Sequence, residues 1–141
     1  MPHLKLQKLV YYVEAWHLAI FKESVIQDNF RAWVHGPVCI KVWHEFKSAD
    51  SPVFNDIAIS SKEAKAIIQD VESELKREQL DLIRDVLKEY APFSAYELEG
   101  MTHAELPWRE ARAGFANDEP SNAVISKDIM LKFYRKRLYN Q

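Results

Sequence analysis

The chain has 141 residues, a formal net charge of −2, 48% hydrophobic and 28% charged residues, the balance of an ordinary globular protein. That length predicts one domain over residues 1–141, burying roughly two-thirds of the surface its unfolded chain exposes. A near-neutral charge argues against nucleic-acid binding by phosphate neutralisation, the single Cys39 excludes an internal disulfide framework, and no window reaches the ~18 apolar residues of a membrane span.

Leu6, Leu9, Val10, Val13, Trp16 and Ile20 recur at helical spacing, with Lys5, Lys8, Glu14 and Lys22 mostly off that stripe. The spacing predicts an amphipathic helix over about residues 4–22. Phe30-Arg31-Ala32-Trp33-Val34 alternates around β-branched and aromatic residues and predicts a short strand. Gly36-Pro37 ends it, and Pro37 suits the first turn of a helix running to about Lys47, burying Val38, Val42, Trp43 and Phe46. Residues 48–55 read as a loop and Ile57-Ala58-Ile59 as a minimal strand. Ser60 to Glu63 forms a capping box, followed by a helical stripe of Ala64, Ile67, Ile68, Val71 and Leu75. A second stripe, Leu80, Ile83, Leu87 and Tyr90, either continues that helix or follows a break near Ser73–Glu78. Pro92 stops it. Ser94 to Glu97 is a second capping box opening a short helix to about Met101, and Pro107 suits the first turn of another, with Trp108, Ala111 and Phe115 beyond. Ser126 caps a final helix whose buried side is Ile129, Met130, Phe133 and Leu138. With 3 Gly and 6 Pro there is little material for β-meanders. The fold class expected is mainly α, a compact helical domain with at most a short two-stranded β element.

Catalytic machinery is not visible. The spacing would put Cys39 and His44 on the same side of a helix with His35 just before it, but zinc needs three or four fixed ligands, a fourth is not evident, and the spacing resembles no common zinc module. A pair of Cys39 with His103 or His17 lacks a Gly-flanked nucleophile turn. Glu97/Glu99 and Glu105/Glu110 read as solvated charges. No Gly-rich phosphate cradle is present. The basic, aromatic run from Lys127 to Tyr139 reads as a terminal helix with cations on its C-terminal dipole. No cofactor and no metal ligand is expected. Trp16, Trp33, Trp43, Trp108, Tyr11 and Tyr12 are many aromatics for this length, and grouped around Gly36-Pro37 they suit a binding surface.

Three motifs carry a family resemblance. Lys5-Leu6-Gln7-Lys8-Leu9-Val10-Tyr11-Tyr12, Ala32-Trp33-Val34-His35-Gly36-Pro37-Val38, and Thr102-His103 with Pro107-Trp108 together resemble the Panacea domain, a family that includes SocA-like antitoxins and phage-associated GepA-like proteins. The resemblance implies a small helical bacterial or prophage protein, the antitoxin of a toxin–antitoxin pair, which neutralises a cognate toxin from an adjacent gene by direct binding. One branch instead acts as a proteolytic adaptor that delivers its toxin to a ClpXP-type protease. Many relatives carry a further helix before the Leu-Gln-Lys-Leu segment, at which this chain begins; a missing helix would leave a helix face open to solvent or a partner.

Carried over by position, the motif falls on Leu6, Gln7, Lys8, Leu9, Tyr11, Tyr12, Trp33, His35, Gly36, Pro37, Thr102, His103, Pro107 and Trp108. Leu6, Leu9 and Tyr11 read as core, and Gly36 and Pro37 as the turn. The candidates for partner binding, or for the hydrogen-bond network that shapes the surface, are Gln7, Lys8, Tyr12, Trp33, His35, Pro37, His103 and Trp108. The expectation is a non-enzymatic cytoplasmic protein, with no apolar leader in Met1-Pro2-His3-Leu4-Lys5, bound to neither membrane nor nucleic acid. A metal- or Cys/His-dependent enzyme is the remote alternative.

Overall fold

The computed structural model describes residues 2–42, 75–116 and 118–139. In chain order these form α1 (Pro2–Phe21), β1 (Phe30–Trp33), β2 (Gly36–Cys39), α2 (Arg77–Tyr90), α3 (Ala95–Ala104), α4 (Leu106–Ala111) and α5 (Lys127–Tyr139). Residues 40–42 are helical. Trp43, His44, Phe46, the loop at 48–55, the strand at 57–59, the capping box at Ser60 and the stripe from Ala64 to Val71 lie outside the described residues. Among the described residues, helices with one short antiparallel pair make up the fold, the mainly helical class that the composition led us to expect. Among the described residues no helix is long and apolar enough to cross a membrane.

α1 is the axis, packed against α2, α3, α5 and β2. Its boundaries match the periodicity, but its polarity does not. Every residue from 5 to 15 is buried, including Lys5, Gln7, Lys8 and Glu14, whereas Ile20 of the apolar stripe is 41% exposed. A one-sided amphipathic helix is therefore the wrong description. Apart from Lys8, each of these buried polar side chains bonds to a neighbouring element instead. Lys5 Nζ donates to the Ala91 carbonyl at the end of α2 (2.7 Å). Glu14 Oε1 accepts from the amides of Val25 and Ile26 (2.9 Å each), while Oε2 pairs with Lys127 Nζ at 2.7 Å. That lysine also donates to Ser24 Oγ (3.2 Å) and the Ile26 carbonyl. His17 Nδ1 donates to the Glu23 carbonyl (2.6 Å), which leaves Nε2 to accept from the Gln79 amide (2.9 Å). α1 ends at Lys22, which adopts φ 60 and bonds back to the Leu18 carbonyl (2.9 Å), a left-handed cap made without glycine.

The β element also differs from expectation. Pro37 does not open a helix; it lies in β2, opposite Ala32. The direction of one N–H makes this possible. Ala32 sends its N–H to the Ala123 carbonyl (2.8 Å), away from β2, so the Ala32/Pro37 pair exchanges no ladder bond and the missing proline N–H costs nothing there. Cys39, opposite Phe30, likewise points its N–H outward, to Gln7 Oε1 (2.9 Å). The free edge of β2 is thus closed by a proline and a glutamine. Residues 123–125 line the other edge of β1 through Ala32–Ala123 and Ile125–Phe30 backbone bonds (2.8 Å each).

The remaining helices start where the sequence puts them. α2 begins after Lys76, so a break precedes it, and Gln79 bonds back to the Lys76 amide (2.8 Å). Ser94 and Glu97 form the reciprocal capping box of α3 (3.1 and 2.9 Å), Pro107 sits in the first turn of α4, and Ser126 Oγ accepts from the Ile129 amide of α5 (3.2 Å). In α5 the fully buried pair is Met130 and Tyr134; Ile129, Phe133 and Leu138 are half-buried. Removing one partner of a buried ion pair strands the other charge, so Glu14→Ala is expected to lose about 3–5 kcal/mol of stability. Urea denaturation measures it, and a loss below about 1 kcal/mol would show that Lys127 finds another partner.

Candidate functional site

The three motifs meet at the β1–β2 turn. Neither Val34 nor His35 has a positive φ, and the reversal is completed by Gly36 at φ +115. A Cβ on Gly36 would lie 2.9 Å from Lys8 Cε, 3.2 Å from Lys8 Nζ and 3.1 Å from Thr102 Oγ1. The backbone conformation and the lysine packed beneath it both require glycine. Lys8 is fully buried, and its Nζ has no hydrogen-bond partner among the described residues. Burial pulls its amine down to about 8, partly opposed by the nearby Glu99 carboxylate.

A stack of rings supports the turn from the side. His103 lies 3.8 Å from Trp108, nearly parallel at 13°. Trp108 Nε1 donates to the Trp33 carbonyl (2.8 Å), fixing the stack to the end of β1. Arg112 covers Trp108 at 5.0 Å and donates to the carbonyls of Ala32 (2.8 Å), Ala116 (2.7 Å) and Glu119. Burial, reinforced by the positive Lys8 and Arg112, holds His103 below the ordinary histidine value against the opposing effects of Glu99 and a Val34 backbone hydrogen bond. On the outer side His35 Nδ1 meets Glu99 Oε1 at 3.1 Å, with the His35 side chain 62% exposed. Thr102 Oγ1 donates to the Glu99 carbonyl (2.9 Å).

A second cluster lies below the first. Glu105 Oε1 accepts from Tyr12 and Tyr134 (2.7 Å each), and Oε2 takes Arg137 Nη1 at 2.6 Å. The Tyr11 and Tyr134 hydroxyls are 3.1 Å apart, Tyr12 stacks on Tyr90 at 4.1 Å, and Trp16 Nε1 donates to the Tyr90 hydroxyl (2.9 Å). Burial first, and the Glu105 charge with it, pushes the phenols of Tyr11, Tyr12, Tyr90 and Tyr134 above their ordinary value.

The structure places the eight candidate residues at different depths. Gln7, Lys8, Tyr12, Pro37 and Trp108 face the interior, Trp33 and His103 are half-buried, and His35 is exposed. Lys8, Gly36, Thr102, His103 and Trp108 converge under one turn; Tyr12 belongs to the Glu105 cluster, and Gln7 serves the β2 edge. Glu105 is not a solvated charge, being only 4% exposed. Nor do the cations of α5 serve only its dipole, since Lys127 and Arg137 answer buried carboxylates and Arg135 donates to the Ala19 carbonyl at the end of α1 (2.8 Å). Glu14, Glu105, Arg112 and Tyr134 were not singled out from the sequence as site residues. Cys39 is buried and its thiol is pushed up by that burial, the wrong direction for a thiolate nucleophile. Among the described residues no group of three or more His, Cys, Asp or Glu side chains is arranged to hold a metal ion.

A family model described as antitoxin SocA-like, Panacea domain, matches residues 6–109. The chain belongs to this family. No curated protein and no solved structure matches the chain. The Panacea match contains the whole turn constellation, from Lys8 through Gly36 to Trp108, and also Glu14 and Glu105. It ends before α5, which supplies Lys127, Tyr134 and Arg137 to those two carboxylates.

Two outcomes follow for the turn. In Gly36→Ala the backbone strain alone is expected to cost about 1–3 kcal/mol, read as a lowered denaturation midpoint; a neutral change would mean that the corner relaxes. The second concerns pH. The Lys8 amine, at about 8 against an ordinary 10.5, binds fewer protons folded than unfolded between those values, so stability climbs with pH there. Its share is about 2 kcal/mol between pH 8 and 10. Above 10.0, the ordinary tyrosine value, the trend reverses because the unfolded phenols ionise and the buried ones resist. Lys8→Met should flatten the rise and leave the fall in pH-dependent urea denaturation; an unchanged rise would assign it to another group.

Proposed function

We propose that this Panacea-domain protein is a non-enzymatic antitoxin of the cytoplasm that neutralises a cognate toxin, encoded by a neighbouring gene, by direct protein–protein binding. The observation that supports this most is the family match together with the way the motif residues are used. Lys8, Thr102, His103, Trp108 and Arg112 hold a hairpin tip rigidly against α3, and rigid presentation lowers the entropic cost of binding. Outside that support lie His35, half-buried Trp33 and Glu99, and Tyr96 of α3, whose ring is 83% exposed. Among the described residues nothing packs over the Cβ position of Gly100, one turn beyond Tyr96, which leaves room there for a partner side chain. On this reading the buried members of the eight candidates shape the surface, and its contacts come from Trp33, His35 and the edge of His103.

The deciding experiment is co-expression with the neighbouring gene product. Restored growth and a co-purifying complex are expected, and neither with any neighbouring product would end the proposal. Following client half-life in the same cells separates occlusion from delivery to a ClpXP-type protease: a long-lived client in the complex supports occlusion. In the purified complex His35→Ala and Tyr96→Ala should each weaken binding about tenfold or more without moving the thermal midpoint. Unchanged affinity in both would place the toxin on another face.

A further inference from the structure

The small sheet has two sides, and only one is closed. Pro37 and Gln7 close the β2 side, whereas the segment at 123–125, which lies along β1, leaves its own outer side open. Val124 pairs antiparallel with Arg31. The flanking bonds, from the Ala32 N–H to the Ala123 carbonyl and from the Ile125 N–H to the Phe30 carbonyl, run inward at 2.8 Å each. Strand geometry alternates these groups, so the N–H and C=O of Val124 point outward. Neither has a hydrogen-bond partner among the described residues, and Val124 is 43% exposed. Two long side chains of β1 reach across to this edge. Arg31 Nη1 donates to the Asn122 carbonyl (3.2 Å), and Trp33 Nε1 donates to Asn122 Oδ1 (3.0 Å). Arg31 has no carboxylate partner among the described residues.

We infer that this edge takes an extended segment of a partner protein, one that carries an acidic side chain. A strand added beside Val124 meets its N–H and C=O, the pairing by which a sheet edge recognises an extended backbone. Those bonds fix direction and register. Trp33 and Arg31, of the residue types that dominate interface energetics, supply contact area and selectivity. The guanidinium lies over the edge segment without a counter-charge, so an aspartate or glutamate on the incoming strand completes it. A second copy of this chain is disfavoured by the same residue: pairing Val124 with its own counterpart would bring two Arg31 guanidiniums toward each other. The inference goes beyond the antitoxin reading and stands without it, because the edge recognises a backbone and a charge whatever the partner does.

Amide hydrogen exchange and a designed peptide test it on the intact native protein. In the free protein the amides of Ala32 and Ile125 should be protected, and that of Val124 should exchange at the rate of an open amide. A protected Val124 amide overturns the inference, and protection that rises with protein concentration assigns the edge to a second copy instead. The probe is a capped pentapeptide with glutamate at its centre and valine and threonine on either side. At millimolar concentration it should shift the Val124 amide and slow its exchange, and lysine in place of the glutamate should weaken binding about fivefold. Val124→Pro removes the outward N–H without breaking a bond of the fold. It should erase the response, read at the Trp33 indole N–H, while leaving the thermal midpoint nearly unchanged. Arg31→Gln should keep the binding and lose the preference for glutamate. No response at Val124, or equal responses to the two peptides in the native protein, overturns the inference. If Val124→Pro does not fold, the native protein and Arg31→Gln still decide.

Discussion

The enclosure of α1 sets the terms for everything packed around it. Lys5, Gln7, Glu14 and His17 are shut away from bulk solvent, so neighbouring elements must offer a counter-charge, a carbonyl or an amide at the right height along the helix. Glu14 draws in the chain after α1 and the start of α5, Lys5 finds the end of α2, and Gln7 finds the edge of β2. These contacts add modestly to stability, since desolvation consumes most of what they gain. Their larger effect is on uniqueness. An alternative packing of similar hydrophobic quality would leave one or more of these groups without a partner.

The same principle organises the turn. Gly36 removes a side chain so that Lys8 can pass, and Trp108 gives up its only donor to hold the Trp33 carbonyl. Arg112 gathers carbonyls from β1 and from the segment after α4. The chemistry of the motif residues is thus directed inward, at the backbone, and what faces outward is mainly shape.

Much of this architecture was legible in the chain because it rests on local rules. Helix starts at Ser94, Pro107 and Ser126 follow from capping and proline geometry over three or four residues, and the β1 strand from its β-branched and aromatic run. The failures have a common cause. Glu14 meets Lys127, and Tyr12 meets Glu105, across most of the chain's length, so a charge off the apolar stripe of α1 looked like a solvated face. Pro37 in a strand could not be anticipated without knowing that Ala32 turns its N–H toward Ala123. For the site, the residue types were readable as a set through the family resemblance, but their depth was not. Burial of Lys8 and Trp108 is a property of the assembled layers, with no signature in the residues beside them.

α5 carries a consequence of its own. The stretch recognisable as the family stops at residue 109, yet the acid groups it contains at positions 14 and 105 are neutralised from positions 127 and 137. Divergence in the tail is therefore not free: a lineage can lose the basic residues of its last helix only by also losing those two carboxylates, or by bringing cations from elsewhere. A graft of the recognisable segment onto another scaffold would keep the donors from Val25, Ile26 and Tyr12 but inherit two interior carboxylates without their counter-ions. The unit that evolution marks and the unit that physics closes are of different lengths.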